Sequence, residues 1–572
     1  MRFPLSLLSR LLALCGVVAL VGMLPWLSGK DPALALLRAR SGDQEATPET
    51  LDAIRQSLHL EQGPLPLLAA WLRGLLQGDA GRSWVSGQPV LPGMVQATGV
   101  SLTLMALAMG VGLVIALLIC LPVVRAGLAG RVQRPVGALA ATLTALPEFL
   151  LASLLLLVGA VWLRLFPPFG WSGLHTAVLP ALALGIPTGG LLGRLASDAI
   201  ARACQERWLV TWSMAGISSR ALILAIARRA LPELLPQLGL VMIALTGAAV
   251  TVEKVFAIPG LGRATLGAAA AQDLPALQTG LLILLLLAFA LGMAATALRH
   301  LLFGPALRAG EMPVPQVAWA TPRGGRWMPL ACGLALAGLV LAGLPRDALS
   351  PEHLRLAPPS WSLPFGADAT GRDVLARVAH GALQTCFSAL LVTLACLVIG
   401  LVAGLFPRLF AGPIEIANAL PPVMAGLVVA AVSGPTPEGA ALAVLAVGWA
   451  PLAAHSAALV AEIGAQPHIR MLPLVGVGRW RCLWRYMLPA LSGPLVRHAT
   501  LRLPGIALAL ASLGFLGLGA PPPLPEWGRV LAEGMPYLER APWTVLAPGG
   551  ALVLLAVLAV SWVGVGRSRP AP

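Results

Sequence analysis

The sequence predicts an all-α polytopic membrane protein with about 12 transmembrane helices, arranged as two six-helix halves. Three observations support this fold: the composition, the number and length of the apolar runs, and a short pattern that occurs twice. Of the 572 residues, 58% are hydrophobic and 11% are charged, whereas about a quarter of the residues of a soluble domain are charged. Most of the chain must therefore lie in lipid.

Twelve apolar runs have the length of a transmembrane helix, which needs roughly 18 to 25 residues. They cover residues 8–27, 98–123, 136–163, 176–197, 237–257, 277–303, 327–344, 380–405, 412–432, 438–460, 492–512 and 544–566. A membrane β-barrel would instead need alternating segments of about ten residues, which the sequence lacks. Helices are the better solution because they satisfy their own backbone hydrogen bonds in lipid.

A Gly-Leu-Gly pattern follows an apolar run twice, at residues 260–262 and 517–519, which are 257 residues apart (517 − 260). Leu-Pro pairs recur at the same offset, at residues 231–232 and 488–489. A duplication or fusion explains both repeats. We therefore predict a first half over residues 1–303, a linker rich in Pro and Gly over 304–326, and a second half over 327–572.

The net charge of +15 comes largely from arginines in the loops between apolar runs. This placement indicates membrane topology rather than nucleic-acid binding. We predict that both termini and the loops 200–235 and 462–488 are cytoplasmic, and that the segments 28–97, 345–378 and 520–543 lie outside. A cleaved signal peptide is an alternative reading of the first run, because Ala33-Leu34-Ala35 follows it.

Enzyme motifs are missing from the sequence. A P-loop needs a lysine followed by Ser or Thr, but the only lysines, Lys30 and Lys254, precede Asp and Val. There is no H-E-x-x-H or G-x-S-x-G motif, and the seven cysteines show no metal-ligand spacing. We therefore predict a chain that is not an enzyme and that binds no metal or cofactor of its own.

Several stretches together resemble the paired permease subunits of the dipeptide/oligopeptide/nickel family of bacterial ABC importers, here fused in one chain. They are residues 78–83, 179–182 and 253–262 in the first half, and residues 366–375, 515–519 and 525–528 in the second half. The resemblance implies an inner-membrane permease that imports peptides, nickel or small metal chelates. It also implies two ATPase partners, which use the ATP, and a periplasmic solute-binding protein; we expect contact with membrane lipid and none with nucleic acid.

In this family a short coupling helix in the loop before the fifth span of each half docks on an ATPase, and it carries a Glu-Ala-Ala pattern followed by a glycine. The matching positions here are Val210, Thr211 and Trp212 before Gly216, and Arg470, Met471 and Leu472 before Gly476. Both copies depart from the acidic consensus, which leaves open which ATPase docks. A glycine suits the end of such a helix because it can adopt positive φ. The alternative is that both loops are only amphipathic surface helices.

Polar residues at membrane depth are candidates for the translocation path, because a charge in lipid is unfavourable. We select Glu148, Asn418 and Glu253. Prolines beside Glu148 and Asn418 predict matched helix breaks next to a cavity. For Glu253 the alternative is an ion pair with Lys254, and for Glu148 it is a position near the membrane surface. Tight turns at the outer mouth are predicted at Gly260, Gly262, Gly517 and Gly519.

Two other functions remain open at this point. A twelve-span secondary transporter driven by an ion gradient would need no ATPase, and its signature would be a relay of carboxylates or histidines within the membrane. Such residues are sparse in this sequence and lie near the ends of the runs. A membrane scaffold without transport would leave the paired Arg-rich loops and the paired prolines unexplained.

Overall fold

The computed structural model describes residues 47–57, 63–130, 146–271, 273–309, 327–407 and 409–566, with scattered positions in 12–37 and 140–144. These residues are mainly α-helical. The described part of the chain contains two isolated β-bridges, Arg82 with Pro89 and Ala367 with Asp373, and no strand. The all-α prediction is therefore confirmed.

The helices described before residue 310 form the first half. They are α1 (Pro48–Ser57), α2 (Pro64–Leu76), α3 (Val90–Leu128), α4 (Glu148–Leu155, continued by a π-helical segment Leu156–Trp162), α5 (Leu174–Gln205), α6 (Arg207–Met214), α7 (Ser219–Val255), α8 (Leu261–Ala270) and α9 (Leu274–Ala309).

The helices described after residue 326 form the second half. They are α10 (Trp327–Gly343), α11 (Val374–Leu405), α12 (Ala411–Ala419), α13 (Pro422–Ser433), α14 (Pro437–Ala465), α15 (Pro467–Met471, continued by a 3₁₀ turn Leu472–Val475), α16 (Arg479–Cys482, continued by a π-helical segment Leu483–Met487), α17 (Leu488–Leu516), α18 (Trp527–Gly534) and α19 (Trp543–Gly566).

Seven helical stretches among the described residues are long and apolar enough to cross a bilayer, and the bent pair α12–α13 would make an eighth. The predicted spans at 136–163, 327–344 and 544–566 appear as shorter apolar helices. The predicted span at 412–432 is not continuous, since α12 and α13 meet at 95°. The predicted span at 8–27 lies largely outside the described residues, so the count of twelve stays a prediction.

Glycines let the main helices of each half pack closely. In the first half α3 packs along α5, and Gly185, Gly189 and Gly193 of α5 lie against α3, where a side chain would overlap residues of α3. In the second half the corresponding contact joins α11 and α14, with Gly400 and Gly404 lying against α14. Small residues spaced by four are a common way to bring membrane helices together.

The two halves meet along α7 and α8 of the first half and α13 and α17 of the second. One hydrophobic core runs through this contact, since it contains Val250 and Phe256 from the first half and Leu427 and Phe515 from the second. The interface between the halves is thus continuous with the interior of each half, and it is the place where a path through the protein can form.

Candidate functional site

A cavity of about 450 Å³ lies between the two halves. Its wall contains Glu148 and Thr251 from the first half, and Asn418, Arg502 and Ser512 from the second. We call this space the inner cavity. The structure thereby brings together Glu148 and Asn418, two of the three residues predicted to lie on a translocation path; the role itself stays a prediction.

Broken helices place both residues on the cavity wall. Pro147 is extended (φ −67°, ψ 135°), so α4 begins only at Glu148. In the second half Leu420 and Pro421 are extended between α12 and α13. Pro421 packs tightly on Gly247 of α7, so the break also forms a contact between the halves. The predicted helix breaks beside a cavity are therefore present.

Arg502 is a cavity residue that the sequence interpretation missed. It lies within the helical stretch Trp480–Leu516, which is apolar enough to cross a bilayer. The signal was present, because an arginine inside an apolar run of membrane length is rare and is usually functional. Glu415, which shares α12 with Asn418, is exposed and does not line the cavity.

Lys254, Phe515 and Phe149 lie together beside the inner cavity, on the side that the predicted topology places outside. The Lys254 ammonium of the first half donates hydrogen bonds to the backbone carbonyls of Phe515 and Leu516 in the second half, both at 3.0 Å. It also lies 5.6 Å from the centre of the Phe515 ring. The Phe149 ring stacks on Phe515 with the ring centres 5.2 Å apart. We call these three residues the outer plug.

A second cavity of about 460 Å³ lies on the other side of the plug. Its wall includes Lys254 and Phe515, with Phe169 from the first half and Met535 and Glu539 from the second. We call it the outer cavity. The outer plug therefore separates two spaces of similar size that both lie between the halves.

Glu253 is not among the residues that line the inner or the outer cavity, and its predicted place on the translocation path stays a prediction. Its side chain is fully buried and accepts hydrogen bonds from the Ser101 hydroxyl at 2.5 Å and from the backbone N–H of Arg263 at 2.9 Å. The alternative given for Glu253, an ion pair with Lys254, is not formed, since Lys254 donates to backbone carbonyls of the second half. A buried carboxyl needs hydrogen-bond donors, and α3 and the first turn of α8 supply them through Ser101 and Arg263.

Three of the four predicted outer-mouth glycines, Gly260, Gly262 and Gly519, lie beside a buried carboxylate. Gly260 and Gly262 contact the Glu253 carboxyl so closely that a side chain on Gly260 would overlap it. In the second half Gly514 and Gly519 take the same position against Glu526. Gly517 ends α17 in a left-handed conformation with φ 85°. Gly260 is extended (φ −90°, ψ 169°) and Gly262 lies within α8, so neither has the left-handed backbone of Gly517. The place of these glycines at an outer mouth stays a prediction.

Glu526 lies in the segment between α17 and α18 and is nearly fully buried. Burial raises the pKa of Glu526 to about 7, and a hydrogen bond from the Ala520 N–H and the charge of Arg529 limit that rise. The carboxyl can therefore change charge near neutral pH, next to the turn that ends α17. Residues 525–528 carry part of the family resemblance, but the sequence alone does not reveal that Glu526 is buried.

Charged residues from the predicted outer segments form one ion-pair network. Asp368 pairs with Arg372 at 2.7 Å and with Arg377 at 2.6 Å. Glu533 of α18 accepts from the same two arginines, at 3.0 and 2.7 Å. Burial would raise the pKa of Asp368, but hydrogen bonds from Arg372, Thr370 and Arg377 outweigh it and hold that pKa at about 2. The network joins the start of α11 to α18, which carries part of the outer cavity wall.

The two predicted coupling segments are short, exposed helical pieces that each end at a left-handed glycine. Val210, Thr211 and Trp212 lie on α6 and are exposed, and Gly216 follows with φ 77°. A single buried aliphatic side chain, Leu209, attaches α6 to the body of the protein.

The second segment is built in the same way. Arg470 and Met471 end α15, Leu472 begins the 3₁₀ turn, and Gly476 has φ 81°. Ile469 is the buried aliphatic residue that attaches it. Exposed apolar side chains project from both segments, among them Met214 (82% exposed) and Leu474 (77% exposed). Exposed apolar side chains of this kind suit contact with another protein.

Comparison with known proteins identifies two transport units in the chain. Residues 108–308 and 396–568 each match the family described as binding-protein-dependent transport system inner membrane component. The chain is 36% identical over 233 residues to the di/tripeptide transport system permease protein DppC of Pseudomonas aeruginosa, covering 37% of this chain and 74% of that protein. It is 33% identical over 229 residues to the peptide transport system permease protein SapC of Escherichia coli O6:H1, covering 38% of this chain and 77% of that protein.

Proposed function

The chain belongs to the family of binding-protein-dependent transport system inner membrane components, and from this premise we propose that it is the fused permease of an ATP-driven peptide importer. As a permease it is a transport subunit and not an enzyme. It is a multi-pass protein of the inner membrane, and its relatives above are named for di/tripeptide and peptide transport. Nickel and small metal chelates remain cargoes of the wider family, with no support from these names.

The observation that carries the proposal is the pair of cavities between the halves, separated by the outer plug. This is the arrangement expected of a permease whose path is closed on the outer side and whose inner cavity is ready to receive or release cargo. Opening requires Lys254 to leave the carbonyls of Phe515 and Leu516, and Phe149 to leave Phe515. Both separations follow if the two halves move apart at α7 and α17.

Two ATPase subunits, identical or related, supply the energy through the coupling segments. The α6 segment presents Val210, Trp212 and Met214, and the α15 segment presents Met471 and Leu474. Both are mainly apolar, and they differ in sequence and charge, so the two halves suit two different docking surfaces. The chain binds no cofactor in this proposal, because the ATP is bound and used by the partner subunits.

A loaded periplasmic binding protein delivers the cargo to the outer side. A partner can shift the permease between its closed and open conformations only if it binds one of them more tightly. The binding protein and ATP must therefore both stabilise the conformation in which the outer plug is open. In this orientation both termini and the coupling segments are cytoplasmic. Labelling with an impermeant thiol reagent in spheroplasts should modify a cysteine placed at Ser86 in the outer segment and spare one placed at Ser219.

Uptake by the reconstituted complex tests the proposal. The full chain, its ATPases and its binding protein are placed in proteoliposomes, and accumulation of radiolabelled L-alanyl-L-alanine is measured with and without ATP. We expect accumulation that needs ATP, both ATPases and the binding protein, and no phosphate release by the purified chain alone. Accumulation driven by a proton or sodium gradient without ATPases would support the secondary transporter instead. Nickel ion offered in place of the peptide tests the other cargo.

A further inference from the structure

We propose that Glu148 and Arg502 form a charged site in the inner cavity that holds the two ends of a zwitterionic cargo during its passage; this rests on the proposed import function. Glu148 belongs to the first half and Arg502 to the second, and both line the same cavity. Asn418 lies on the wall as well and offers an amide. Among the described residues of this cavity wall, Glu148 and Arg502 are the only acidic and basic side chains.

Neither side chain forms an ion pair within the described part of the chain. Glu148 and Arg502 take part in none of the ion pairs found there, and the Nε atom of Arg502 is buried without a hydrogen-bond partner. Nearby on α17, His498 stacks on His455 with the ring centres 4.2 Å apart. Imidazole rings offer no negative charge to the guanidinium.

Unpaired charges at membrane depth are unfavourable, so a protein keeps them where a ligand or water supplies the missing interactions. Here the two charges have opposite sign and lie on opposite halves of one cavity. A cargo with one carboxylate and one ammonium group would satisfy both at once. A guanidinium binds a carboxylate through two parallel hydrogen bonds, and a carboxylate accepts from an ammonium group.

The size of the inner cavity is compatible with this cargo. A sphere of about 450 Å³ is about 9.5 Å across, and two or three extended residues span roughly 7 to 11 Å. A bare divalent cation would be repelled by the positive charge of Arg502, and it has no carboxylate with which to bind the guanidinium. The site therefore favours short peptides with free ends over a free metal ion, and it acts after the binding protein has released its cargo.

The test compares cargoes that differ at one end. Proteoliposomes with the full complex take up radiolabelled L-alanyl-L-alanine or its carboxy-terminal amide, using wild type, R502Q, R502K and the matched control R497Q. Arg497 lies on the same helix, is exposed and does not line the cavity. For each cargo the rate of the variant is divided by the rate of the wild type, so that any preference of the binding protein cancels.

We expect R502Q to lower this ratio for the free peptide about tenfold more than for the amide, since a hydrogen bond to a charged group is lost. R502K should recover part of the loss, and R497Q should show equal ratios. By the same logic E148Q should lower uptake of the free peptide more than uptake of the N-acetylated peptide.

Equal ratios for the two cargoes in R502Q, whether high or low, would overturn the proposed site, because a structural role affects every cargo alike. Failure of the wild type to take up any peptide would instead count against the proposed function. The two failures are therefore distinguishable. If R502Q leaves the uptake of nickel ion unchanged and selectively lowers the uptake of the free peptide, the result would support the proposed site.

Discussion

The Lys254 ammonium and the backbone carbonyl of Phe515 lie 3.0 Å apart across the boundary between the two halves. The same ammonium reaches the carbonyl of Leu516 at 3.0 Å, and these carbonyls belong to the last turn of α17. A cation at the carboxyl end of a helix is stabilised by the free carbonyls and by the helix dipole. One side chain thus holds the outer ends of α7 and α17 together.

Replacing Lys254 by Ala should favour the open outer plug. A hydrogen bond from a charged group contributes about 1.5 to 3 kcal/mol, so the fraction of open protein should rise tenfold or more. The measurement is the labelling rate of a cysteine at Ser512, which lines the inner cavity, by an impermeant thiol reagent added outside. The native cysteines are removed first.

A cysteine at Ser86, exposed in the outer segment, serves as the control and should be labelled at the same rate with or without Lys254. Lys254→Arg should remain close to wild type, since it retains the charge and the donors. Unchanged labelling at Ser512 in Lys254→Ala would show that the aromatic stack closes the path without the lysine.

Glu526 should make stability fall as the pH rises. Its folded pKa is raised from 4.5 to about 7 by burial, so its contribution is complete below about 4.5 and is lost as the pH passes through 7. The wild type should therefore lose up to about 3 kcal/mol between pH 5 and pH 8 through this group. Glu526→Gln, which resembles the protonated form, should lose less over the same range.

Thermal unfolding in detergent at several pH values measures this difference. Glu352→Gln is the control, because Glu352 is exposed in the preceding outer segment and its loss should leave the pH dependence unchanged. Parallel curves for the wild type and Glu526→Gln would contradict the prediction.

Gly260→Ala should destabilise the first half, because the added methyl group overlaps the buried Glu253 carboxyl. Overpacking of this kind typically costs about 1 to 3 kcal/mol. Gly267→Ala is the matched control in α8, where no atom lies within 4 Å of the added group; it should be neutral or slightly stabilising. The measurement is the melting temperature of each variant in detergent. Equal melting temperatures for Gly260→Ala and Gly267→Ala would contradict the prediction, because they would show that the turn accommodates the added methyl group.

Gly216→Val and Gly476→Val should weaken coupling while leaving membrane insertion intact. Both glycines have positive φ and both have open space around them, so the effect comes from backbone strain of about 1 to 2 kcal/mol. Uptake and ATPase copurification at matched membrane abundance are the measurements. Gly478→Val is the control, since Gly478 is equally open but is not among the glycines with positive φ.

The two halves need not respond equally, because their coupling segments differ in sequence. Normal uptake and full ATPase recovery in both variants would favour the alternative in which these loops are only amphipathic surface helices.

Composition and spacing were enough to predict the fold class and the paired cavity residues. Apolar runs reveal helices in lipid because length and hydrophobicity alone decide insertion. Prolines beside Glu148 and Asn418 revealed the breaks, since proline ends a helix through local geometry. The positive φ of Gly216 and Gly476 was expected for the same reason: the residue type itself limits the backbone.

Contacts between distant segments could not be predicted in this way. Lys254 was interpreted as the neighbour of Glu253, yet it binds carbonyls more than 260 residues away. Sequence adjacency does not decide the direction of a side chain at the end of a helix. Arg502 was overlooked because a single arginine changes the mean hydropathy of a long apolar run very little. Its position inside that run nevertheless indicates a functional residue.

The buried glutamates Glu253 and Glu526 occupy different positions relative to the glycine pairs of the two halves. Glu253 stands seven residues before Gly260, whereas Glu526 stands seven residues after Gly519. An offset of 257 residues therefore aligns Glu253 with Leu510 and Glu526 with Ala269, which are both buried and apolar. Each half therefore holds its own buried carboxyl group, seven residues before the glycine pair in the first half and seven residues after it in the second. A chain built from two copies of one half would hold two carboxyl groups of one kind instead of one of each, so the two halves are not equivalent at these turns.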